Sequence, residues 1–152
     1  MVLIQSLNKH LELYIGNTEQ QLSFIHVADV CKAVFLSIDQ PIVAQNILLS
    51  DTDNYTAKEF NKMVKAVLGK KTIPIVVPVP IAKAAAHVSE WVGNLRGVTP
   101  VLNKERLKEF QAPNWGVDAT VLKQLGFIPD YPLQKGLEHT IEWYQKHGWL
   151  KP

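Results

Sequence analysis

The chain has 152 residues, 47% of them hydrophobic, with 16 basic against 14 acidic side chains and a net charge of +2. That size and apolar content support one domain with a buried core, and the dispersed charge, with only Lys70-Lys71 paired, carries no nucleic-acid footprint. No apolar run reaches the ~20 residues that span a bilayer, Met1-Val2-Leu3-Ile4 lacks a signal peptide's basic region, and Cys31 is a single cysteine; a cytoplasmic protein without a membrane partner is expected.

In chain order, a short opening helix precedes two apolar, β-prone runs, Leu11 to Ile15 and Leu22 to His26, joined by a turn at Gly16-Asn17-Thr18. From Val27 the positions Val27, Val30, Cys31, Val34, Phe35 and Ile38 keep the spacing of one buried helical face that Pro41 ends, which makes Cys31 a packed thiol. Asn46 to Leu49 reads as a short strand. Thr56-Ala57-Lys58-Glu59 is a capping box opening a helix with Phe60, Met63, Val64, Val67 and Leu68 inward, stopped by Gly69. Thr72 to Val77 is β-prone, and Pro74 limits it to an edge strand or an extended segment. Pro78 and Pro80 start a helix through about Val92, with Ala84, Ala85, Val88 and Trp91 on related faces. Asn103 caps a short helix through Phe110, Asn114 to Val117 is extended, Thr120 caps Val121 to Leu125 and Gly126 stops it. The last helix starts near Pro132 with Leu137, Ile141 and Tyr144 at helical spacing. Alternating strands and helices argue for an α/β or α+β fold over residues 1–152 as a single domain.

Several chemistries lack their residues. His10, His26, His87, His139 and His147 include no pair at metal-ligand spacing with a carboxylate, so no metal site is expected. Gly93 and Gly97 do not stand between a strand and a helix, so no cofactor-binding residues are assigned. Tyr131 and Lys135 have the spacing that puts a phenol and an ammonium on one helical turn, but Pro132 starts the helix after the tyrosine and leaves it outside that turn. No catalytic residue is assigned.

Four ordered motifs carry a resemblance: Phe24-Ile25-His26-Val27-Ala28-Asp29-Val30, Trp115 with Asp118, Leu125-Gly126-Phe127-Ile128-Pro129, and Gly136-Leu137 with Trp143-Tyr144. The chain resembles the C-terminal part of the extended short-chain dehydrogenases, the NAD-dependent epimerase/dehydratase superfamily, and in Val101 to Trp115 looks most like the dihydroflavonol reductase and 3β-hydroxysteroid dehydrogenase branches. The resemblance implies the C-terminal lobe of an extended Rossmann-type enzyme without the N-terminal dinucleotide-binding sheet. NAD or NADP then belongs to the full-length protein and to no residue of this chain, and the partners are a small-molecule substrate and the absent N-terminal cofactor domain. Asn46 to Leu49 would complete that domain's sheet, and its open edge predicts self-association as a homo-oligomer.

Sugar-nucleotide members often carry an arginine where this chain has Leu22, and Ala28 replaces an acid common in relatives. The resemblance therefore implies an apolar substrate with a reacting hydroxyl or carbonyl. Three residues are candidates for its site. Leu22 stands at the arginine position; His26 faces the cleft or is satisfied by neighbouring backbone; Trp91 lines an apolar pocket or packs in the core. Asp29 is read as a helix cap, Asp118 as fixing the next helix, and Trp143 and Trp149 as cover. Two alternatives stay open: a non-catalytic binding or assembly module, and a nucleotide-sugar epimerase or dehydratase lobe.

Overall fold

The computed structural model describes residues 2–39, 46–97, 103–112 and 114–150. Its elements are α1 (Val2–Asn8), β1 (Leu11–Ile15), β2 (Gln21–Leu22), α2 (Val27–Asp39), β3 (Tyr55–Thr56), α3 (Ala57–Leu68), β4 (Ile73–Val77), α4 (Val79–Arg96), α5 (Lys104–Gln111), β5 (Asn114–Trp115), α6 (Thr120–Gln124) and α7 (Leu133–Lys146). The mixed α/β class agrees with the alternation in the sequence. Pro41 and the stretch Val98 to Leu102 lie outside the described residues.

Local signals hold where they are complete in themselves. The Thr56 hydroxyl accepts from the Glu59 amide at 3.1 Å while the Glu59 carboxylate accepts from the Thr56 amide at 2.7 Å, so the capping box opens α3 and Gly69, at φ 64°, closes it. Gly126 takes its left-handed turn at φ 77°. Asp118, rather than Thr120, organises the start of α6: its Oδ1 accepts from the Thr120 amide at 2.9 Å, and Ala119 is the residue at the cap.

Strand pairing departs from the expected hairpin. β1 pairs in parallel with β4, Leu11 opposite Ile73 through Ile15 opposite Val77, and not with the neighbouring run. β2 is only Gln21–Leu22, between β3 (antiparallel) and β5 (parallel), and residues 23–26 leave the ladder. Buried Glu12 explains part of the choice. It accepts from Tyr14 at 2.5 Å, Lys65 at 2.7 Å and Thr72 at 2.7 Å, knitting β1 to α3 and to the approach of β4. Burial pushes the Glu12 carboxyl up, but the bonds from Lys65, Tyr14 and Thr72 outweigh it and leave it lowered, while burial and that same acceptor raise the Tyr14 phenol to about 12. β4 sits at the edge of a two-stranded sheet, the position Pro74 requires.

Three apolar clusters form the core. The largest joins Ile4 and Leu7 of α1, Phe60 and Val64 of α3, and Leu133, Leu137 and Ile141 of α7, with Met63, Val67, Leu68 and Tyr144 against it. The second sets Ala33 of α2 against Ala119, Leu122 and Phe127. The third sets Ala82 and Ala86 of α4 against Leu107 of α5, with Ile15 and Val77.

α2 turns the other way from expectation, and α4 likewise keeps its large apolar residues outside. The predicted inner face of α2 is its outer face: Phe35 and Ile38 are 66% and 71% exposed, Val27 and Val34 are exposed with them, and so is Cys31. What α2 buries is Asp29 and Ala33. In α4 the buried positions are Ala82, Ala86 and Gly93, while Ala84, Ala85, Val88 and Trp91 are exposed. In both cases small residues allow close approach to a neighbouring element, and the large apolar residues face away. Residues 46–49 form no strand ladder; Ile47 and Leu49 pack on the second cluster and Leu48 points outward.

Candidate functional site

His26 closes the run Phe24-Ile25-His26 and starts α2. Its carbonyl accepts from the Asp29 and Val30 amides, and its ring Nδ1 accepts from the Ala28 amide at 3.2 Å, so the side chain caps the helix it precedes. An accepting Nδ1 places the ring proton on Nε2, which donates to Nδ1 of His139, on α7, at 3.0 Å. The ring stacks on Tyr131 at 4.2 Å between centroids. Burial, the neighbouring His139 and, against them, Asp29 set its titration, with the net result that the His26 pKa is lowered. Protonation would turn Nδ1 into a donor facing the Ala28 amide and put a cation at the positive end of α2.

Asp29, fully buried, holds the opposite wall. Its Oδ1 accepts from the Asp130 amide and its Oδ2 from the Tyr131 amide, both at 2.9 Å. The expected capping charge therefore secures the loop that carries Tyr131 rather than its own helix. Lys32 reinforces the loop through Asp130 and the Ile128 carbonyl, each at 2.7 Å.

Between these walls and α1, α3 and α7 lies a cavity of about 340 Å³, lined chiefly by Phe24, Phe60, Leu133 and Leu137, with His26, Tyr131 and Asp51 as its polar edges. Gly136 opens it: a Cβ there would stand 3.6 Å from the His26 ring and 3.5 Å from the Tyr131 carbonyl. Asp51 is buried and satisfied, its Oδ2 accepting from Tyr55 at 2.7 Å and the Leu133 amide at 2.9 Å; burial raises its pKa. His26 and Asp51 are hydrogen-bonded within the protein, and the Tyr131 ring is held by stacking on His26. The cavity walls are chiefly apolar.

Of the sequence candidates, only His26 lines this cavity. Leu22 packs against the first core cluster, and Trp91, 66% exposed on α4, lines neither this cavity nor the second one. That second cavity, about 520 Å³, is polar and runs along Asn54, Asn114, Gly116 and Asp118. Its walls are mutually bonded: the Val117 amide donates to Ser23 Oγ at 2.9 Å, and Gly116 lies so close that a Cβ would meet Asn114 Oδ1 at 2.8 Å. This close approach is why glycine follows Trp115. His139 and Asp51 were not singled out by the sequence, and Tyr131 was considered only for its spacing to Lys135 and set aside. Asp51 and its neighbour Ser50 are polar, buried and set between apolar segments, the one available signal; His139 has none.

Gly93 and Gly97 form no dinucleotide-binding turn. Gly93 is buried inside α4 and Gly97 ends that helix, so neither opens a strand-to-helix turn. Lys135 lies 4.6 Å from the centroid of the Tyr131 ring and donates to the Asp130 carbonyl at 2.8 Å, and Tyr131 precedes α7, so the pair does not share a helical turn. Among the described residues no group of three His, Cys, Asp or Glu is placed to hold a metal ion.

No protein-family model matches the chain. A ceramide reductase of Caulobacter vibrioides is 28% identical over 133 residues, covering 86% of this chain and 41% of that protein. The decarboxylating sterol-4-alpha-carboxylate 3-dehydrogenase of Saccharomyces cerevisiae is 33% identical over 69 residues, 45% of this chain and 20% of that protein. Among solved structures, gox2253 superposes with a TM-score of 0.68 at 23% identity, covering 97% of this chain and 44% of that one. The NAD complex of a dTDP-glucose 4,6-dehydratase from Bacillus anthracis gives 0.63 at 17% identity, covering 99% and 40%. The mixed α/β fold is one shared with solved extended short-chain dehydrogenases, of which it covers a part. The chain thus spans less than half the length of the relatives it matches, and those relatives include proteins that bind NAD or NADP.

Proposed function

We propose that this chain is the substrate-binding part of an NAD(P)-dependent reductase or dehydrogenase acting on a hydroxyl or carbonyl of an apolar molecule. The observation that carries the reading is the cavity beside His26, chiefly apolar in its walls, with His26 and Asp51 already bonded within the protein. Such a cavity selects by shape and hydrophobic burial. The similarity to a ceramide reductase and to a sterol dehydrogenase supports it, since both names are of lipid-metabolising enzymes. His26 serves as wall and helix cap, Leu22 supports the strand that leads to it, and Trp91 belongs to another surface.

The cofactor and the proton-transferring group come from a part of the enzyme outside these residues, and the outer apolar face of α2 is the surface on which that part packs. Calorimetry tests both halves. An aliphatic ketone binds the chain, UDP-glucose does not, and NADH and NADPH produce no heat. Stoichiometric dinucleotide binding would refute the division of labour. Ketone binding unchanged in Gly136→Leu, whose side chain enters the cavity, would refute the site.

A further inference from the structure

α7 turns one face to the cavity beside His26. Leu133, Gly136, Leu137 and Thr140 line it, and at about 100° per residue these four positions span an arc of roughly 100° with Thr140 near its middle. Two leucines and a glycine suit an apolar wall; Thr140 needs another reason. A β-branched polar residue is a poor helix former, and inside a helix its hydroxyl ordinarily folds back onto the carbonyl four residues earlier. Among the described residues the half-buried Thr140 hydroxyl has neither that bond nor any other hydrogen-bond partner.

Gly136 makes room beside it. Positions four apart are neighbours on a helix face, so the space that the missing side chain leaves is bordered by Thr140 one turn on, and across it by the His26 ring and the Tyr131 carbonyl. At about 340 Å³ the cavity holds a small molecule or one end of a larger one.

The other polar groups limit what that molecule carries. Both ring nitrogens of His26 are engaged, by the Ala28 amide and by His139, and Asp51 is taken by Tyr55 and the Leu133 amide. Among the described residues no lysine or arginine lines the cavity; Lys135 is held at the Asp130 carbonyl, 2.8 Å away, with its ammonium over the Tyr131 ring. An anionic head would meet the Asp51 carboxyl group and no counter-ion, and a head with several hydroxyls would leave most of them unsatisfied.

We propose that Thr140 determines the specificity of this cavity, its hydroxyl holding the single uncharged oxygen of a ligand whose carbon skeleton fills the space beside Gly136. The inference rests on the reading of the cavity as a substrate site and adds what the site selects. A hydroxyl both donates and accepts, so Thr140 serves a ketone and the corresponding alcohol alike.

Headspace partition over solutions of the 152-residue chain tests the proposal with cyclohexanone and its hydrocarbon isostere methylenecyclohexane, each normalised to its partition into hexane. On that scale the wild type favours the ketone by about tenfold, and cyclohexanecarboxylate does not displace it at neutral pH. Thr140→Val, which keeps the shape of the wall, removes the preference by weakening the ketone alone, and Thr140→Ser, which keeps the hydroxyl, retains it. Equal normalised binding of the two probes to the wild type overturns the proposal, as does displacement by the carboxylate. A preference that Tyr131→Phe removes and Thr140→Val does not would move the oxygen contact to the phenol and overturn it too. Ketone binding blocked by Gly136→Leu but unchanged in Thr140→Val defeats this inference and leaves the cavity as the site; ketone binding indifferent to Gly136→Leu defeats the reading of the cavity and this inference with it.

Discussion

Asp29→Ala removes the acceptor of two backbone amides. The side chain is fully buried, and its oxygens take the Asp130 and Tyr131 amides at 2.9 Å each. With alanine both part-buried amides lose their acceptor, and each donor left unsatisfied costs about 1–3 kcal/mol. The loss is therefore at most about 2–6 kcal/mol, set against the ~5–15 kcal/mol that holds a domain together. The Lys32–Asp130 ion pair does not compensate, because both partners are largely exposed and such pairs contribute ~0–1 kcal/mol. Asp29→Asn keeps one carbonyl acceptor but turns an amide nitrogen toward the other donor, so its cost is near half that of alanine. Urea unfolding of the wild type and both variants at pH 7 reads the difference. The reasoning fails if Asp29→Ala costs less than ~1 kcal/mol, or no more than Asp29→Asn, for then the two amides find other partners.

Gly136→Ala stabilises the chain by about 0.5–1 kcal/mol, because glycine sits inside α7 and the nearest atoms to its missing Cβ are at ordinary contact distance, 3.5–3.7 Å; a lowered melting temperature would show that the cavity wall cannot accept a methyl group. The lowered His26 pKa means that the unfolded chain takes up a proton at this residue before the native one does. Its contribution to stability is thus full above the unfolded value of about 6.5 and is lost as pH falls below it; thermal melts from pH 7.5 to 5 lose less stability in His26→Asn than in the wild type. Cys31 is exposed on α2 and reacts with Ellman's reagent in the native chain as fast as in urea, whereas a reaction awaiting unfolding would place α2 the other way round.

The local parts of this fold were readable from short stretches of sequence. The Thr56–Glu59 box, the glycine stops at Gly69 and Gly126, the proline starts of α4 and α7, and the inward face of α3 each depend on residues within a few positions, so neighbours alone determine them. The order of motifs likewise led to the fold, which the solved structures share. Periodicity gave α2 and α4 their helical form but not the direction of their apolar faces. A stripe of large residues is compatible with a core or with an outside partner, and only the packing showed that Ala33, Ala82 and Ala86 make the close approaches. Strand partners were beyond the sequence for the same reason: β1 joins β4 across some 60 residues, stabilised by Glu12 with Lys65 and Thr72, and the adjacent β-prone run had equal claim by pattern. The site shows the largest gap. His26 was visible as the end of a strand-like run, but its role as a neutral cap depends on His139, far along the chain, and Asp29 and Asp51 acquire their roles from amides at 130, 131 and 133. Hydrogen bonds between residues that far apart are products of the folded arrangement, and no local pattern records them.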